Sequence, residues 1–172
     1  QRKVNQVFRA KSEEYVSAIE REFELQSRDM LFLKSFHNSS NQVTRTEFQT
    51  FTQPSSESTT HRNIMMWAPR ILDSDKESFE KRLTMNAFPD TRIHVYDQEG
   101  QLIVVENKLE YYPIEFIEPV ASYGYFIGYD LSESPEFFAD MMKSAKLNQM
   151  GSSILRLFGS DENNPREFFM VF

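Results

Sequence analysis

A stretch without glycine or proline, from Val4 to Phe36, constrains the fold of this chain more than any other feature. Its apolar residues recur at the spacing of one face of an amphipathic helix: Tyr15, Ile19, Phe23, Met30 and Leu33. A helix of about 35 residues, rising about 1.5 Å per residue, extends for about 50 Å. That length exceeds the diameter of a compact domain of this size. The pattern therefore predicts one long helix, part of which projects or pairs with another chain.

Short helical patterns and short β-prone runs follow this helix. The run "VTRTEFQTF" predicts a short helix through Phe48 and Phe51, and the apolar run Ile64 to Pro69 predicts a buried strand. Ser74 and Glu77 have the spacing of a capping box that opens a helix over "DKESFEKRLTMN", with Phe79 and Leu83 as its buried face.

The second half of the chain is richer in strand signals. The runs "TRIHVYD" and "QLIVVE" alternate around the turn Asp97 to Gly100 and predict a hairpin. Another strand is predicted from Tyr111 to Ile117, and Ser134 with Pro135 predicts the start of a helix. The segments "SSILRLFG" and "REFFMVF" are the last two strand candidates. This order of elements predicts an α+β fold with an antiparallel sheet and helices on one side.

Charge and composition exclude several classes of function. The net charge of −7, without any cluster of Lys and Arg, argues against a nucleic-acid partner. No run of apolar residues in the sequence approaches the length of about 18 that a membrane-spanning helix needs. The first residues also lack the apolar core of a signal peptide. The chain is therefore either a soluble protein or a domain cut from a membrane protein. The absence of cysteine excludes disulfides and thiolate metal sites.

No motif for catalysis or for binding a metal ion stands out. The chain has no G-x-S-x-G sequence, and its five glycines are scattered, so that no phosphate-binding loop is formed. Of the three histidines, His61 lies in a serine- and threonine-rich loop and His94 lies inside a predicted strand. We interpret them as ordinary surface and sheet residues. We expect no catalytic residue, metal ion or cofactor.

The stretch "YYPIEFIEPVASYGYFIGYD", Tyr111 to Asp130, has an unusual aromatic content. It contains five tyrosines, two phenylalanines and two prolines, and its three charged residues are all acidic. Tyrosine combines a large apolar ring with a hydroxyl that needs a hydrogen-bond partner. The stretch is consistent with the wall of a small-ligand pocket, but composition alone favours a tyrosine-rich core whose hydroxyls reach solvent at a sheet edge.

Several segments, in this order, resemble the CHASE domain, the extracellular or periplasmic sensory module of membrane histidine kinases and nucleotide cyclases. They are "IMMWAPRI", "SFEKR", "YYPIEFIEP", "FIGYDLSESPEF", "SAKLNQMGSSILRL" and "REFFMVF". The resemblance covers about two thirds of the chain, from about Ile64 to the C-terminus. The matching positions are Trp67, Pro69, Phe79, Glu80, Tyr111, Pro113, Pro119, Gly128, Asp130, Pro135, Ala145, Ser153 and Leu157.

The resemblance implies a domain organisation. Residues 1–37 would form a signalling and dimerisation helix that rises from a first transmembrane span. Residues 38–172 would form the sensor region, with PAS-like antiparallel sheet subdomains. The membrane-distal subdomain would hold the ligand, and the membrane-proximal one would be incomplete at Phe172. The domain would lie between two transmembrane helices, on the periplasmic or extracellular side of the cytoplasmic membrane, and would form a homodimer through the long helix.

The resemblance and the aromatic stretch together indicate a binding site for a small organic ligand. Asp130 is expected to cap the segment that follows it instead of touching ligand. The best-known ligands of the family are cytokinins, whose purine is held by an acidic residue near the position of Pro119 here. Glu118 lies beside that position, but strand alternation should point its side chain elsewhere, so cytokinin is not the favoured ligand. The expected ligand-binding residues are Trp67, Tyr96, Tyr112, Phe116, Glu118, Tyr123 and Tyr125.

The predicted function is that of an extracytoplasmic sensor domain of a membrane receptor, which transmits ligand binding through its long helix. The domain itself is not expected to be an enzyme, although the whole receptor would be a histidine kinase or a nucleotide or diguanylate cyclase. The alternative is a module that binds no metabolite and mediates dimerisation or contact with another protein. An enzyme of unrecognised type is a second alternative.

Overall fold

The computed structural model of the chain describes residues 2–39, 43–56, 64–85, 89–97, 99–149, 151–157 and 166–171. The chain divides into two compact units, one formed mainly by Gln1–Asn41 and the other mainly by Gln42–Met170. No helix in the described ranges is long and apolar enough to cross a membrane.

The first unit is a single helix, α1 (Arg2–Ser39), of 38 residues. The predicted long helix is confirmed, and at about 1.5 Å per residue it extends for about 57 Å. The N-terminal part of its predicted apolar face is open to solvent, whereas Leu33 of the same face is buried. The exposed fraction is 67% for Tyr15, 69% for Ile19 and 44% for Phe23.

The second unit combines short helices with short strands. Its helices are α2 (Arg45–Ser56), α3 (Lys76–Met85), α4 (Val120–Tyr123) and α5 (Pro135–Leu147). Its strands are β1 (Met65–Trp67), β2 (Ile71–Leu72), β3 (His94–Tyr96), β4 (Leu102–Val104), β5 (Glu110–Tyr111), β6 (Phe116–Glu118), β7 (Ser152–Leu157) and β8 (Arg166–Val171). The predicted α+β class is confirmed.

Among the described residues, the strands form four two-stranded sheets: β1 with β6, β2 with β5, β3 with β4, and β7 with β8. The first three pairs are antiparallel, and Trp67 lies opposite Phe116 in the first. The predicted hairpin is the β3–β4 pair. Its turn is closed by the Gly100 N–H, which donates to the Asp97 carbonyl oxygen at 3.1 Å.

Residues 127–130 connect the hairpin to the middle of the unit. On one side, the His94 N–H donates to the Gly128 carbonyl at 3.0 Å, and the Asp130 N–H donates to the His94 carbonyl at 2.9 Å. On the other side, the Gly128 N–H donates to the Ile114 carbonyl at 2.8 Å, and the Ile114 N–H donates to the Tyr129 carbonyl at 2.9 Å. We call residues 127–130 the linking segment. Its backbone is hydrogen-bonded along both edges, so it joins β3 to residues 112–114.

The main core lies between α3, α5, the linking segment and the inner face of the strands. The predicted buried face of α3 is confirmed, since Phe79 and Leu83 are 0% and 1% exposed. Other core residues buried below 2% are Ile93, Tyr111, Ile114, Phe126 and Leu155.

Three local predictions differ from the structure. Ser74 does not open α3 as an N-cap, because it lies inside a 3₁₀ turn, Asp73–Asp75, whose own cap position is Leu72. The predicted strand from Tyr111 to Ile117 is split into β5 and β6. Pro113, which has no N–H to donate to a ladder, lies in the gap and forms an isolated bridge with Asp130. The start of α5 is as predicted, but the Ser134 side chain makes no capping hydrogen bond.

A capping box is present at α2. The Thr44 hydroxyl accepts from the Glu47 N–H at 3.3 Å, and the Glu47 carboxylate accepts from the Thr44 N–H at 2.9 Å. These bonds satisfy backbone donors that every helix leaves open at its first turn. They also hold the pKa of Glu47 below its usual value. The cap therefore fixes where α2 begins, and with it the position of Phe48 in the first turn.

Candidate functional site

The β1–β6 pair divides the aromatic residues between two faces. Partners that lie opposite each other in an antiparallel pair share a face, and so do alternate residues along a strand. Met65 lies opposite Glu118 and Trp67 lies opposite Phe116, so these four side chains share one face. Met66 and Ile117 lie on the other face, within the main core.

Helix α2 packs on the face that carries Trp67 and Phe116. The Phe48 ring lies 5.5 Å from the Phe116 ring, with a tilt of 33°. Both rings are buried, and so is Thr52 one turn further along α2. The Thr52 hydroxyl donates to the Phe48 carbonyl at 2.8 Å, which satisfies its polar group inside the helix. This packing makes a second apolar cluster, separate from the main core.

Glu118 is the acidic residue of this cluster. Its exposed fraction is only 8%, and one carboxylate oxygen accepts from the Val120 N–H at 3.1 Å. Among the residues that the structure describes, no basic side chain forms an ion pair with Glu118. A buried carboxylate without a basic partner is uncommon, because burial of charge is normally compensated by pairing. We call the face formed by Phe48, Met65, Trp67, Phe116 and Glu118 the α2 site.

Tyr123 lies close to the α2 site along the chain. It belongs to α4, the short helix that starts directly after Glu118 and Pro119. Its side chain is partly buried and packs against the main core.

Tyr96 and Tyr125 meet at a different place. The Tyr96 hydroxyl donates to the Tyr125 carbonyl at 2.9 Å, and the Tyr96 ring stacks on the Tyr129 ring at 6.4 Å. Burial raises the pKa of Tyr96, so its phenol remains a neutral donor. Tyr125 is 38% exposed, and its ring lies 4.2 Å from that of Phe126.

Tyr112 belongs to a third set of contacts. Its hydroxyl donates to the Glu110 carboxylate at 3.1 Å, and its ring meets the Phe138 ring edge-on at 4.8 Å. Only 7% of the residue is exposed, and burial raises the pKa of its phenol. The hydroxyl is therefore satisfied inside the protein.

Asp130 holds the end of the linking segment. One carboxylate oxygen accepts from the Tyr112 N–H at 3.0 Å, the Ser132 N–H at 3.1 Å and the Ser132 hydroxyl at 2.8 Å. The other oxygen pairs with the Lys108 ammonium at 3.0 Å. Because Asp130 is fully buried and caps the 3₁₀ turn Leu131–Glu133, the prediction that it is a capping residue is confirmed.

Gly128 and Glu80, two positions of the family resemblance, have clear structural roles. Gly128 has a φ of +90°, and a Cβ placed there would lie 2.6 Å from the Arg92 carbonyl oxygen. Only glycine fits such a position without strain. The Glu80 carboxylate accepts from the Ile93 N–H at 3.0 Å and holds the chain where it enters β3.

The structure thus places the seven expected ligand-binding residues in separate surroundings. Trp67, Phe116 and Glu118 come together in the α2 site, with Tyr123 one short helix away. Tyr96 and Tyr125 contact each other beside Tyr129, and Tyr112 lies against Glu110. Their role in binding remains a prediction.

Phe48 and Met65 of the α2 site were absent from the expected set. The spacing of Phe48 and Phe51 predicted a helix, and the sequence T-x-x-E from Thr44 to Glu47 marks its start. Neither signal identifies the strands on which that helix packs.

The α2 site contains aromatic rings, a thioether and one carboxylate acceptor. These groups are chemically suited to a small molecule that has a flat apolar body and a polar N–H or cationic group. Among the described residues, no group of three or more His, Asp or Glu side chains could hold a metal ion.

A comparison with protein families identifies this chain by its sequence. The model of the CHASE domain matches residues 41–172, well over half of the chain. No curated protein matches the sequence.

Proposed function

Since the chain belongs to the CHASE domain family, we propose that it binds a small organic ligand and passes the signal to the rest of a membrane receptor. CHASE domains are extracytoplasmic sensory domains of signalling receptors and are not catalytic themselves. The family match over residues 41–172 is the observation that carries the proposal. The ligand-binding step, the dimer and the membrane setting are the parts that need experiment.

The α2 site is the ligand-binding site in this proposal. Glu118 accepts a hydrogen bond from a donor group of the ligand, because its buried carboxylate has no basic partner among the described residues. Trp67 and Phe116 lie on the same face and supply apolar and π surface for the body of the ligand. Phe48 closes the site from α2.

The remaining expected residues lie outside the α2 site. Tyr123 follows Glu118 by one short helix, but its side chain packs against the main core. The hydroxyls of Tyr96 and Tyr112 already donate to protein acceptors, at 2.9 and 3.1 Å. These two tyrosines and Tyr125 lie away from the α2 site, so the proposed site does not include them.

Signal transmission requires two arrangements that the ligand binds with different affinity. In this proposal, two copies of the chain pair through α1, and the pair of helices is the element with two arrangements. The exposed Tyr15, Ile19 and Phe23 supply the apolar contact surface. Transmembrane helices on either side of the domain would connect it to a histidine kinase or a cyclase in the cytoplasm.

Thermal unfolding across a library of purines, amino acids, organic acids, amines and aromatic metabolites tests ligand binding. A ligand raises the melting temperature in proportion to the logarithm of its concentration above its dissociation constant. We expect one chemical class to do so, and we expect the rise to be reduced in Glu118→Gln and Trp67→Leu. Glu99→Gln, in the exposed hairpin turn, is the matched control and should respond like the wild type. A flat response of the wild type to the whole library would contradict ligand sensing, as would an unchanged response of both site variants.

Sedimentation of the purified chain tests dimerisation through α1. Ile19→Glu places a charge in the apolar face, whereas Ser17→Glu places it about 200° away around the helix. We expect the first substitution to shift the chain to monomer and the second to leave the dimer intact. Equal behaviour of the two variants would contradict pairing through this face.

A module that only mediates dimerisation is the second candidate. The internal hydrogen bonds of Tyr96 and Tyr112 favour it, because these residues are satisfied without a ligand. In that case Glu118→Gln and Trp67→Leu would leave signalling by the full receptor intact, and Ile19→Glu would abolish it. Loss of signalling in the site variants with an unchanged dimer would support the ligand sensor.

A further inference from the structure

His94 is a buried histidine with one unused ring nitrogen. The residue is 2% exposed. Its Nδ1 lies 2.9 Å from the Arg92 carbonyl oxygen, and a carbonyl can only accept a hydrogen bond. The single proton of the neutral ring is therefore on Nδ1. The Nε2 atom is buried, and it has no hydrogen-bond partner among the described residues.

Aromatic rings surround His94. The Tyr96 ring lies 5.1 Å away at 79°, and the Tyr129 ring lies 6.4 Å away at 89°. Both phenols are titratable groups, but burial raises the pKa of each, so both are neutral at the pH values at which histidine titrates.

The charged side chains of the neighbouring segments already have partners. They pair as follows: Arg92 with Glu80 and Glu106, and Asp130 with Lys108. The linking segment approaches His94 closely, since a Cβ on Gly128 would lie 3.1 Å from His94 Nδ1. Protonation of Nε2 would therefore create a buried N–H donor and a positive charge without an acceptor.

We propose that His94 makes the packing of the linking segment against β3 sensitive to pH, so that acidification of the medium is an input to this domain separate from any ligand. His94 exchanges backbone hydrogen bonds with both Gly128 and Asp130. Displacement of its ring to reach water moves the backbone of β3 and breaks these bonds. The effect then reaches Tyr112, whose N–H is held by Asp130.

The direction of the effect follows from the protonation states. Burial lowers the pKa of His94 below its usual value of about 6.5, and the hydrogen bond to Arg92 opposes this only in part. Between that lowered value and about 6.5, the unfolded chain binds a proton that the folded chain does not. The contribution of neutral His94 to the free energy of unfolding is therefore at its full value above about pH 6.5. It decreases as the pH falls. The decrease ends at the pKa of the folded state.

Urea unfolding of the purified chain between about pH 5 and pH 8 tests the proposal. In the wild type, the unfolding equilibrium constant should rise by up to about tenfold per pH unit below about pH 6.5, in addition to the contribution of the carboxylates. His94→Asn keeps a donor for the Arg92 carbonyl and cannot take up a proton, so this additional rise should be lost. His61→Asn is the matched control and should retain it. An additional rise of the same size in His94→Asn and wild type would overturn the proposal.

Nuclear magnetic resonance of the wild type makes the test independent of whether His94→Asn folds. Long-range ¹H–¹⁵N spectra should show the proton on Nδ1 at neutral pH and a titration midpoint below the usual histidine value of about 6.5. The amide of Asp130 should also lose protection from exchange as His94 is protonated. A proton on Nε2, an ordinary midpoint or unchanged protection would each refute the proposed switch.

Discussion

Asp130→Ala removes the acceptor on which three segments of the second unit depend. The carboxylate is fully buried and binds the Tyr112 N–H, the Ser132 N–H and hydroxyl, and the Lys108 ammonium. Its loss leaves the buried Tyr112 N–H without a partner, which costs about 1–3 kcal/mol. The Ser132 N–H is nearer to solvent, so its loss adds less.

Loss of the ion pair with Lys108 costs less free energy than loss of a fully buried pair. Removal of one partner of a buried ion pair costs about 3–5 kcal/mol. Lys108, however, is 27% exposed and keeps Ser132 and Glu133 as partners. We therefore expect a total loss of about 3–5 kcal/mol for Asp130→Ala. Asp130→Asn keeps one acceptor oxygen and should lose about 1–3 kcal/mol, because its amide donor faces the ammonium.

Urea denaturation at neutral pH measures these free energies. Glu133→Gln is the matched control, since it weakens the partly exposed pair with Lys108 and should cost less than about 1 kcal/mol. A loss below about 1 kcal/mol for Asp130→Ala would refute the reasoning, because the buried N–H would then have found another acceptor. Equal losses of unfolding free energy in the Ala and Asn variants would show that the remaining acceptor oxygen does not contribute to stability.

Other substitutions test the packing elsewhere in the second unit, and denaturant or thermal unfolding measures each of them. Gly128→Ala brings a Cβ to 2.6 Å from the Arg92 carbonyl oxygen at a φ of +90°, so it should lower the free energy of unfolding by about 1–3 kcal/mol. An unchanged stability would contradict the close approach. Thr44→Ala removes the hydroxyl cap of α2 and should cost about 1 kcal/mol, whereas Thr44→Ser should be nearly neutral. Phe48→Ala removes a side chain that is only 1% exposed and leaves a cavity, so it should lower the free energy of unfolding by about 3–5 kcal/mol. The partly buried Phe51 is its control, and an equal loss in Phe51→Ala would show that α2 packs through a different face.

The local signals in the sequence predicted most of the secondary structure. The periodicity of α1, the hairpin turn from Asp97 to Gly100 and the proline at the start of α5 each act over a few residues. The capping box was assigned to Ser74 and is wrong there, whereas the same S/T-x-x-E spacing at Thr44 forms one. The difference arises because a 3₁₀ turn already occupies residues 73–75, which the spacing does not reveal.

The candidate site was only partly accessible from the sequence. Composition indicated the aromatic stretch from Tyr111 to Asp130, but it could not distribute these rings between faces. That distribution follows from the pairing of β1 with β6 and from the break at Pro113, which separates Tyr112 from Phe116. Tyr112 consequently packs against Phe138 instead of lying beside Trp67.

By itself, the sequence determined the order of helices and strands, the length of α1, the position of the hairpin and the resemblance to the family. These features depend on side-chain periodicity, turn residues and short motifs, which are properties of neighbouring residues. The tertiary structure alone decided that α2 packs against Phe116, that Glu118 is buried without a basic partner among the described residues, and that His94 Nε2 has no acceptor or donor there. Burial and pairing of these groups depend on segments far apart in the chain, and only the packed structure brings those segments together.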